Sequence, residues 1–380
     1  MICARDFGCV LSYFQETNVP ALSSCVMIRD LILPSLLLSL TVGFQSKGSS
    51  DGSAQGGQVA EASASRALQL PEESLLVDRG EGRLPLRIPG AEELEFRVLV
   101  DLGIGDVNVG TVTLSSGIEP YRAGLPVPGG KVGDEQKSGW LKSNARGGHL
   151  GYELDHELKT TFQPVAFPRI FHRDTQTGSE NRKREIKIGE RGGKSISTFQ
   201  DDGHCQGCDR LEHIVASTLP WGSDHHCKKC KRGEHRLWTE IETRDVPEDA
   251  VDMLGAIYLS RTLLVEGLES TTVPMLDKTR LWNVTLRPGG TKLLKTKAGH
   301  YECTEVLLET SLPEGEPVPD RGFSGIFGIR GEIHIWAETR TGVPVMIEGE
   351  VPVGGLFTLD VQVELKRHEG TPQAFLPQPE

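Results

Sequence analysis

The chain has 380 residues, long enough for one large domain or two ordinary ones with a buried core. Its formal net charge of −12 argues against nucleic acid or an anionic lipid surface as the partner of the whole molecule. Hydrophobic residues are 37%, low for a fully packed chain, and 44 glycines favour short strands and turns over a helix bundle.

Leu31–Phe44 reads LILPSLLLSLTVGF, fourteen residues without a charge. That suits the apolar region of a signal peptide and falls short of the ~20 residues of a spanning helix. Met27 lies just before it, so residues 1–44 read as a leader whose true start is Met27. The mature chain is then an exported protein of the periplasm or cell envelope, with no spanning segment after the leader is removed. No cysteine follows the apolar run, which argues against a lipid-anchored lipoprotein. Ser, Gly, Ala and Gln dominate to about Ser65, and residues 45–91 read as a disordered linker.

A single β-rich domain is expected over residues 92–368. Leu94, Phe96, Val98 and Val100 share one face, with Glu95 and Arg97 on the other. After Gly103-Ile104-Gly105-Asp106 a second alternating run carries Val107, Val109, Thr111 and Thr113, so the two form a hairpin. Residues 115–147, rich in Gly, Pro, Lys and Ser, read as loop. Alternation returns over 151–167, where the adjoining Asp155 and His156 must face opposite ways. Arg182 to Ile188 and Ser195 to Phe199 read as further strands. Between them, Gly189–Ser195 resembles a phosphate loop, but Ile188 stands where the first glycine belongs, so a β-turn is expected.

Residues 204–235 form a Cys-rich insertion. Cys205-Gln-Gly-Cys208 and Cys227-Lys-Lys-Cys230 are eighteen residues apart. Each such turn aims two sulfurs at one point, and the loop between can fold one turn onto the other, as in a zinc ribbon. Lys228, Lys229, Lys231 and Arg232 would offset the negative charge of a four-thiolate zinc centre. A structural zinc on Cys205, Cys208, Cys227 and Cys230 is the leading reading, with His235 as alternative ligand; His204 and His226 precede their cysteines and point away from the centre. Disulfides and a thiol redox pair remain open, whereas Asp209 and Lys231 stand where covalent haem needs histidine. Cys303, amid apolar alternation, reads as a buried structural thiol.

A helix is expected from Pro247-Glu248-Asp249 to about Leu264, with Val251, Leu254, Ile257, Tyr258 and Leu263 at helical spacing. Strands follow over 280–287, 291–296, 302–309, 331–338, 344–351 and 357–365, separated by Gly-rich turns, with Trp282 and Trp336 as core aromatics. Residues 369–380, with three prolines, read as an unstructured tail. The fold class is therefore mainly β: an antiparallel, strongly curled sheet or partly open barrel, one packed helix and the zinc-ribbon-like insertion.

The helix segment Asp252–Arg261, together with Gly299–Cys303, Ile335-Trp336, Pro344-Val345 and Gly354–Leu356, resembles a bacterial exported family, domain of unknown function 3108. The resemblance spans roughly 92–368. It implies an exported, β-rich, partly barrel-like domain without an assigned activity, and it supplies no catalytic residues. The sequence shows no GxSxG and no HExxH. The reading that results is a non-enzymatic envelope protein binding a lipid or an envelope glycan, without nucleic-acid contacts. The alternatives are a metal-dependent or thiol–disulfide enzyme using the Cys/His cluster, and a cytosolic zinc ribbon on nucleic acid.

Overall fold

A computed structural model describes residues 73–101, 103, 105–121, 137–149, 152–163, 167–178, 182–202, 238–319, 323, 325, 328–353 and 357–378. All of them lie in one unit, Ala64–Glu380.

Two short strands, β1 (Ser74–Val77) and β2 (Leu86–Pro89), pair as a ribbon of their own. Among the described residues the remaining strands form one antiparallel sheet of fourteen. In chain order they are β3 (Ala91–Asp101), β4 (Asp106–Pro120), β5 (Lys137–His149), β6 (Tyr152–Phe162), β7 (Ile170–Gly178), β8 (Arg182–Arg191) and β9 (Lys194–Asp201). After β10 (Glu242–Asp245) and helix α1 (Met253–Glu266) come β11 (Thr271–Asp277), β12 (Arg280–Thr296), β13 (Gly299–Ser311), β14 (Arg330–Glu338), β15 (Pro344–Val353) and β16 (Phe357–Glu369). Nearly every strand pairs with its sequence neighbour; the exception is β16, which returns to β3. That one long-range pairing joins two meanders, with β10 and β11 left as the outer strands.

The two outer strands do not pair, so the sheet is open, but the chain between them crosses the gap. Val246 N donates to Ser195 O of β9, and Val251 N donates to Pro274 O of β11 while Leu276 N donates back to Val251 O. Ile186, Ile188, Val246, Ala250 and Leu276 pack together there, bringing β8 against β11. Residues 246–252 thus act as a strap across the seam. From its end α1 runs through the interior, touching β2, β5, β11 and β12. Leu254 to Leu263 are all buried, as expected of a helix that is enclosed on every side instead of amphipathic.

Inward positions along the strands meet this helix in one apolar cluster that includes Phe96, Leu114, Leu141, Phe162, Leu259, Tyr301, Ile335 and Leu365. Each fully buried side chain of this kind stabilises the fold by roughly 1.5–3 kcal/mol. The core is therefore largely filled by the protein's own residues.

The hairpin of β3 and β4 forms as its alternation predicts. The β-turn between Arg191 and Lys194 likewise forms, with Gly192 and Gly193 at φ 62° and 73°, which only glycine adopts cheaply. Trp282 and Trp336 are 6% and 8% exposed, and Cys303 is fully buried.

Several expectations are corrected. Within residues 115–147, expected as loop, 115–120 complete β4 and 137–147 lie in the central strand β5, whose inward Gly139, Leu141, Ser143 and Ala145 are mostly small because the helix and ribbon press on that face. A Cβ on Gly139 would sit 2.7 Å from Ile88 Cδ1. Residues 73–91 are not linker, since Leu84, Leu86 and Ile88 of the ribbon are buried. The Pro288-Gly-Gly step is a bulge within one strand, not a turn between two. The helix begins at Met253, with Pro247–Asp249 in a turn before it. The tail is packed: Phe375 is 1% exposed and stacks on Tyr301 at 4.8 Å, and Gln378 N donates to His300 O.

Candidate functional site

Cys205, Cys208, Cys227, Cys230 and His235 all fall within 203–237, outside the described residues. Among the described residues no group of three His, Cys, Asp or Glu side chains stands close enough to hold a metal ion. Cys303 is the one described cysteine; burial pushes its thiol up to about 12, so it stays protonated and unreactive.

Two features concentrate chemistry elsewhere. The first is a cleft of about 210 Å³ at one end of the sheet, bordered by the ribbon, the strap and strands β5 to β9. Leu75, Val77 and Leu86 line it from the ribbon, Phe162, Ile170 and Ile188 from the sheet, and Val251 from the strap. Phe162 and Ile170 are cross-strand partners, as are Ile170 and Ile188, so these three form one apolar tier.

Arg79 joins ribbon to strap at the border. Its Nε and Nη2 donate to Asp249 O at 3.2 and 2.6 Å, and Nη1 donates to Leu84 O at 3.1 Å. Burial draws the guanidinium down to about 10 despite the Asp249 carboxylate 3.5 Å away, so it remains a cation at neutral pH. Lys137 is paired with Glu73 at 2.8 Å.

The second feature lies one tier further in. Thr160, His172 and Asp252 come from β6, β7 and the start of α1. Thr160 Oγ1 donates to Asp252 Oδ2 at 2.5 Å, and His172 Nδ1 lies 2.8 Å from the same oxygen. The other carboxylate oxygen accepts from Gly255 N at 3.0 Å and so caps the helix. Burial works against the charged form of His172, but the hydrogen bond and charge of Asp252 outweigh it and hold the imidazole above its ordinary value. Burial would likewise raise Asp252, yet His172, Thr160 and Gly255 hold it below the usual carboxylate range. The pair is a buried salt bridge.

These three types of side chain invite comparison with a nucleophile–histidine–carboxylate relay. Such a relay needs the two imidazole nitrogens to face different partners. Here Nδ1 meets both Thr160 Oγ1, at 2.8 Å, and Asp252. The Thr160 proton is already given to Asp252, so the set is a structural anchor.

Beyond it the interior stays polar. Asp174 accepts from His156 Nε2 at 2.7 Å and from Arg182 Nη2 at 3.3 Å, and Arg184 Nε donates to Asp201 at 2.8 Å. Burial opposes ionisation of Asp174, but His156, Arg182 and Arg184 bring it down to about 2. Asp155, on the opposite face from His156, pairs with Arg146 outside, as the alternation requires. Asp277 shows the reverse balance, since burial raises its carboxyl more than Lys278, Arg184 and His172 lower it.

Of these residues the sequence marks Asp155 and His156, as neighbours facing opposite ways, and Asp252, at the head of the helix segment; Thr160, His172, Asp174 and Asp277 carry no such mark. The signal existed on β7, where Ile170, His172, Asp174 and Gln176 alternate, but the inward face is mostly polar and so lacks an apolar period.

Three solved structures match the chain, each at low identity. A β-barrel-like protein of domain of unknown function DUF1849 from Brucella abortus matches with TM-score 0.41 and 8% identity, over 74% of this chain and 98% of that one. A proposed exported protein with a YmcC-like fold from Bacteroides fragilis matches with TM-score 0.26 and 9% identity, over 74% and 98%. A proposed lipoprotein from Parabacteroides distasonis matches with TM-score 0.25 and 7% identity, over 74% and 95%. No curated protein matches the chain. The profile of one family, described as protein of unknown function (DUF3108), matches residues 231–362, which hold β10, α1, the strands from β11 to β15 and the first part of β16. Over that stretch the chain resembles the DUF3108 family.

Proposed function

We propose that this is a non-enzymatic, exported binding module whose cleft receives the apolar end of an envelope lipid. The observation that carries this reading is the tier of Phe162, Ile170 and Ile188, opposed by Leu75, Val77 and Leu86 and bordered by the Arg79–Asp249 contact. Apolar walls with a polar border are what an acyl terminus recognises. A glycan needs convergent hydrogen-bond groups along its length, so the lipid is the favoured partner. At about 210 Å³ the cleft takes a chain end, not a whole lipid, because α1 fills the rest of the interior. Export rests on the uncharged run Leu31–Phe44.

The insertion is read as fastened by one structural zinc on Cys205, Cys208, Cys227 and Cys230, with His235 as the alternative ligand, supported by the spacing of the pairs. Metal analysis with a thiol count tests it: one zinc per chain, with thiols released only on chelation, is the expected result, and no metal with no titratable thiols contradicts it.

The lipid reading is tested by native mass spectrometry of the protein isolated from bacterial envelopes. A retained adduct of lipid mass, lost when Ile170 is changed to Trp, supports it. A protein that carries no adduct and takes up no lipid from mixed micelles contradicts it.

A further inference from the structure

The cations around the cleft differ in one respect. Arg79 is bound to Asp249 and Leu84, and Lys137 to Glu73, but Arg169 has no side-chain partner among the described residues. Its side chain is exposed while its backbone is held from both sides: Arg169 N donates to Ile188 O at 2.9 Å, and its carbonyl accepts from Gln163 N at 2.7 Å. Gly189 allows the close approach, since a Cβ there would stand 2.9 Å from Arg169 N. A rigid base therefore presents an exposed guanidinium, without a protein partner among the described residues, immediately before Ile170, whose side chain belongs to the apolar tier.

From this we infer that Arg169 reads an anionic head group, carboxylate or phosphate, on the amphiphile whose chain end occupies the cleft. Besides Asp249, which Arg79 holds, two anions on the border need accounting for. Asp78 accepts from Gly80 N, and Glu248 sits on the strap, whereas Arg169 belongs to the β6–β7 connection on the sheet side. The planar fork of arginine binds an oxyanion through two parallel N–H bonds and gives up its hydration more readily than an ammonium. Glu248 offers only a solvated carboxylate to an amine, so the anionic head is the one this border favours.

This inference rests on the lipid reading above and deepens it, and a three-ligand titration separates the two. Octanoate, 1-octanol and octylammonium are titrated calorimetrically into the full exported chain at low ionic strength, using wild type and Arg169→Gln. Octanoate is expected to bind wild type most tightly. Arg169→Gln weakens it about tenfold, as loss of one charge-assisted contact does, and leaves 1-octanol unchanged. Equal octanoate affinity in wild type and Arg169→Gln, or tighter octylammonium than octanoate, overturns the head-group assignment while leaving the cleft intact. No binding of any of the three overturns the cleft reading itself. Arg169 is exposed, so the variant keeps its fold, which an unchanged melting curve verifies. Phosphate and carboxylate heads are distinguished by repeating the titration with octyl phosphate.

Discussion

His172 Nδ1 and Asp252 Oδ2 meet 2.8 Å apart inside the sheet, and the same aspartate caps the helix that fills the interior. One carboxylate thus ties α1 to β6 and β7 at once. Asp252→Ala would leave the His172 charge buried and unpaired, which costs about 3–5 kcal/mol, and would remove the cap as well. Urea unfolding checks this; a loss below about 1 kcal/mol would show that the pair does not anchor the helix.

The same pair sets a pH dependence. His172 is raised in the fold, so its contribution is complete below the ordinary histidine value and is lost as pH rises through the folded value. Asp252 is lowered, so its contribution holds above the ordinary carboxylate range and fades as pH falls. Asp174 behaves as Asp252 does: held at about 2, it contributes about 2 kcal/mol that disappears as pH falls from about 4 towards 2. Melting temperature against pH should therefore fall on both flanks, and the alkaline fall should be absent in His172→Gln. An identical alkaline flank in that variant would assign the loss to other groups.

Asp277 carries the opposite sign. Burial raises its carboxyl, so ionising it above the ordinary range opposes folding. Asp277→Asn should match wild type in acid and exceed its melting temperature at neutral pH. A neutral-pH loss of stability would mean that attraction to Arg184 and His172 outweighs burial.

Tyr258 is 2% exposed and its hydroxyl makes no well-formed hydrogen bond, although it faces Ser116. Removing an unpartnered buried hydroxyl is nearly neutral or stabilising. Tyr258→Phe is predicted to stay within about 0.5 kcal/mol of wild type, read from the urea midpoint, and a larger loss would reveal a bond that the geometry lacks.

The C-terminal segment is part of the core. Phe375 stacks on Tyr301 and meets His368 edge-on at 4.6 Å, and Arg340 Nη2 donates to Ala374 O. Phe375→Ala should cost about 3–5 kcal/mol by thermal or chemical unfolding. A segment of no structural consequence would give no measurable change.

Where one face of a strand is apolar, as at Leu94–Val100, the alternation in the sequence shows the strand directly. It fails at Gly139–Ala145, because small inward residues chosen to admit the helix and ribbon look like loop composition. It fails again at Ile170–Gln176, because the inward face carries an ion network in place of apolar side chains. The tail misleads for a related reason: its three prolines hide a single phenylalanine that does the packing. The cleft could not be read at all, since Val77, Phe162, Ile188 and Val251 meet only after the sheet curls and the strap crosses its seam. Asp252 was visible as a residue preceding an apolar helix, but its partners His172 and Thr160 lie 80 and 92 positions away.

The central claim, that the cleft receives an apolar chain end, is tested most directly by methyl NMR of the full chain titrated with 1-octanol. Shifts concentrated on Val77, Leu86, Ile170, Ile188 and Val251, saturating with one ligand per chain, are the predicted result. Unperturbed methyls at those positions, or shifts confined to other surfaces, would contradict it.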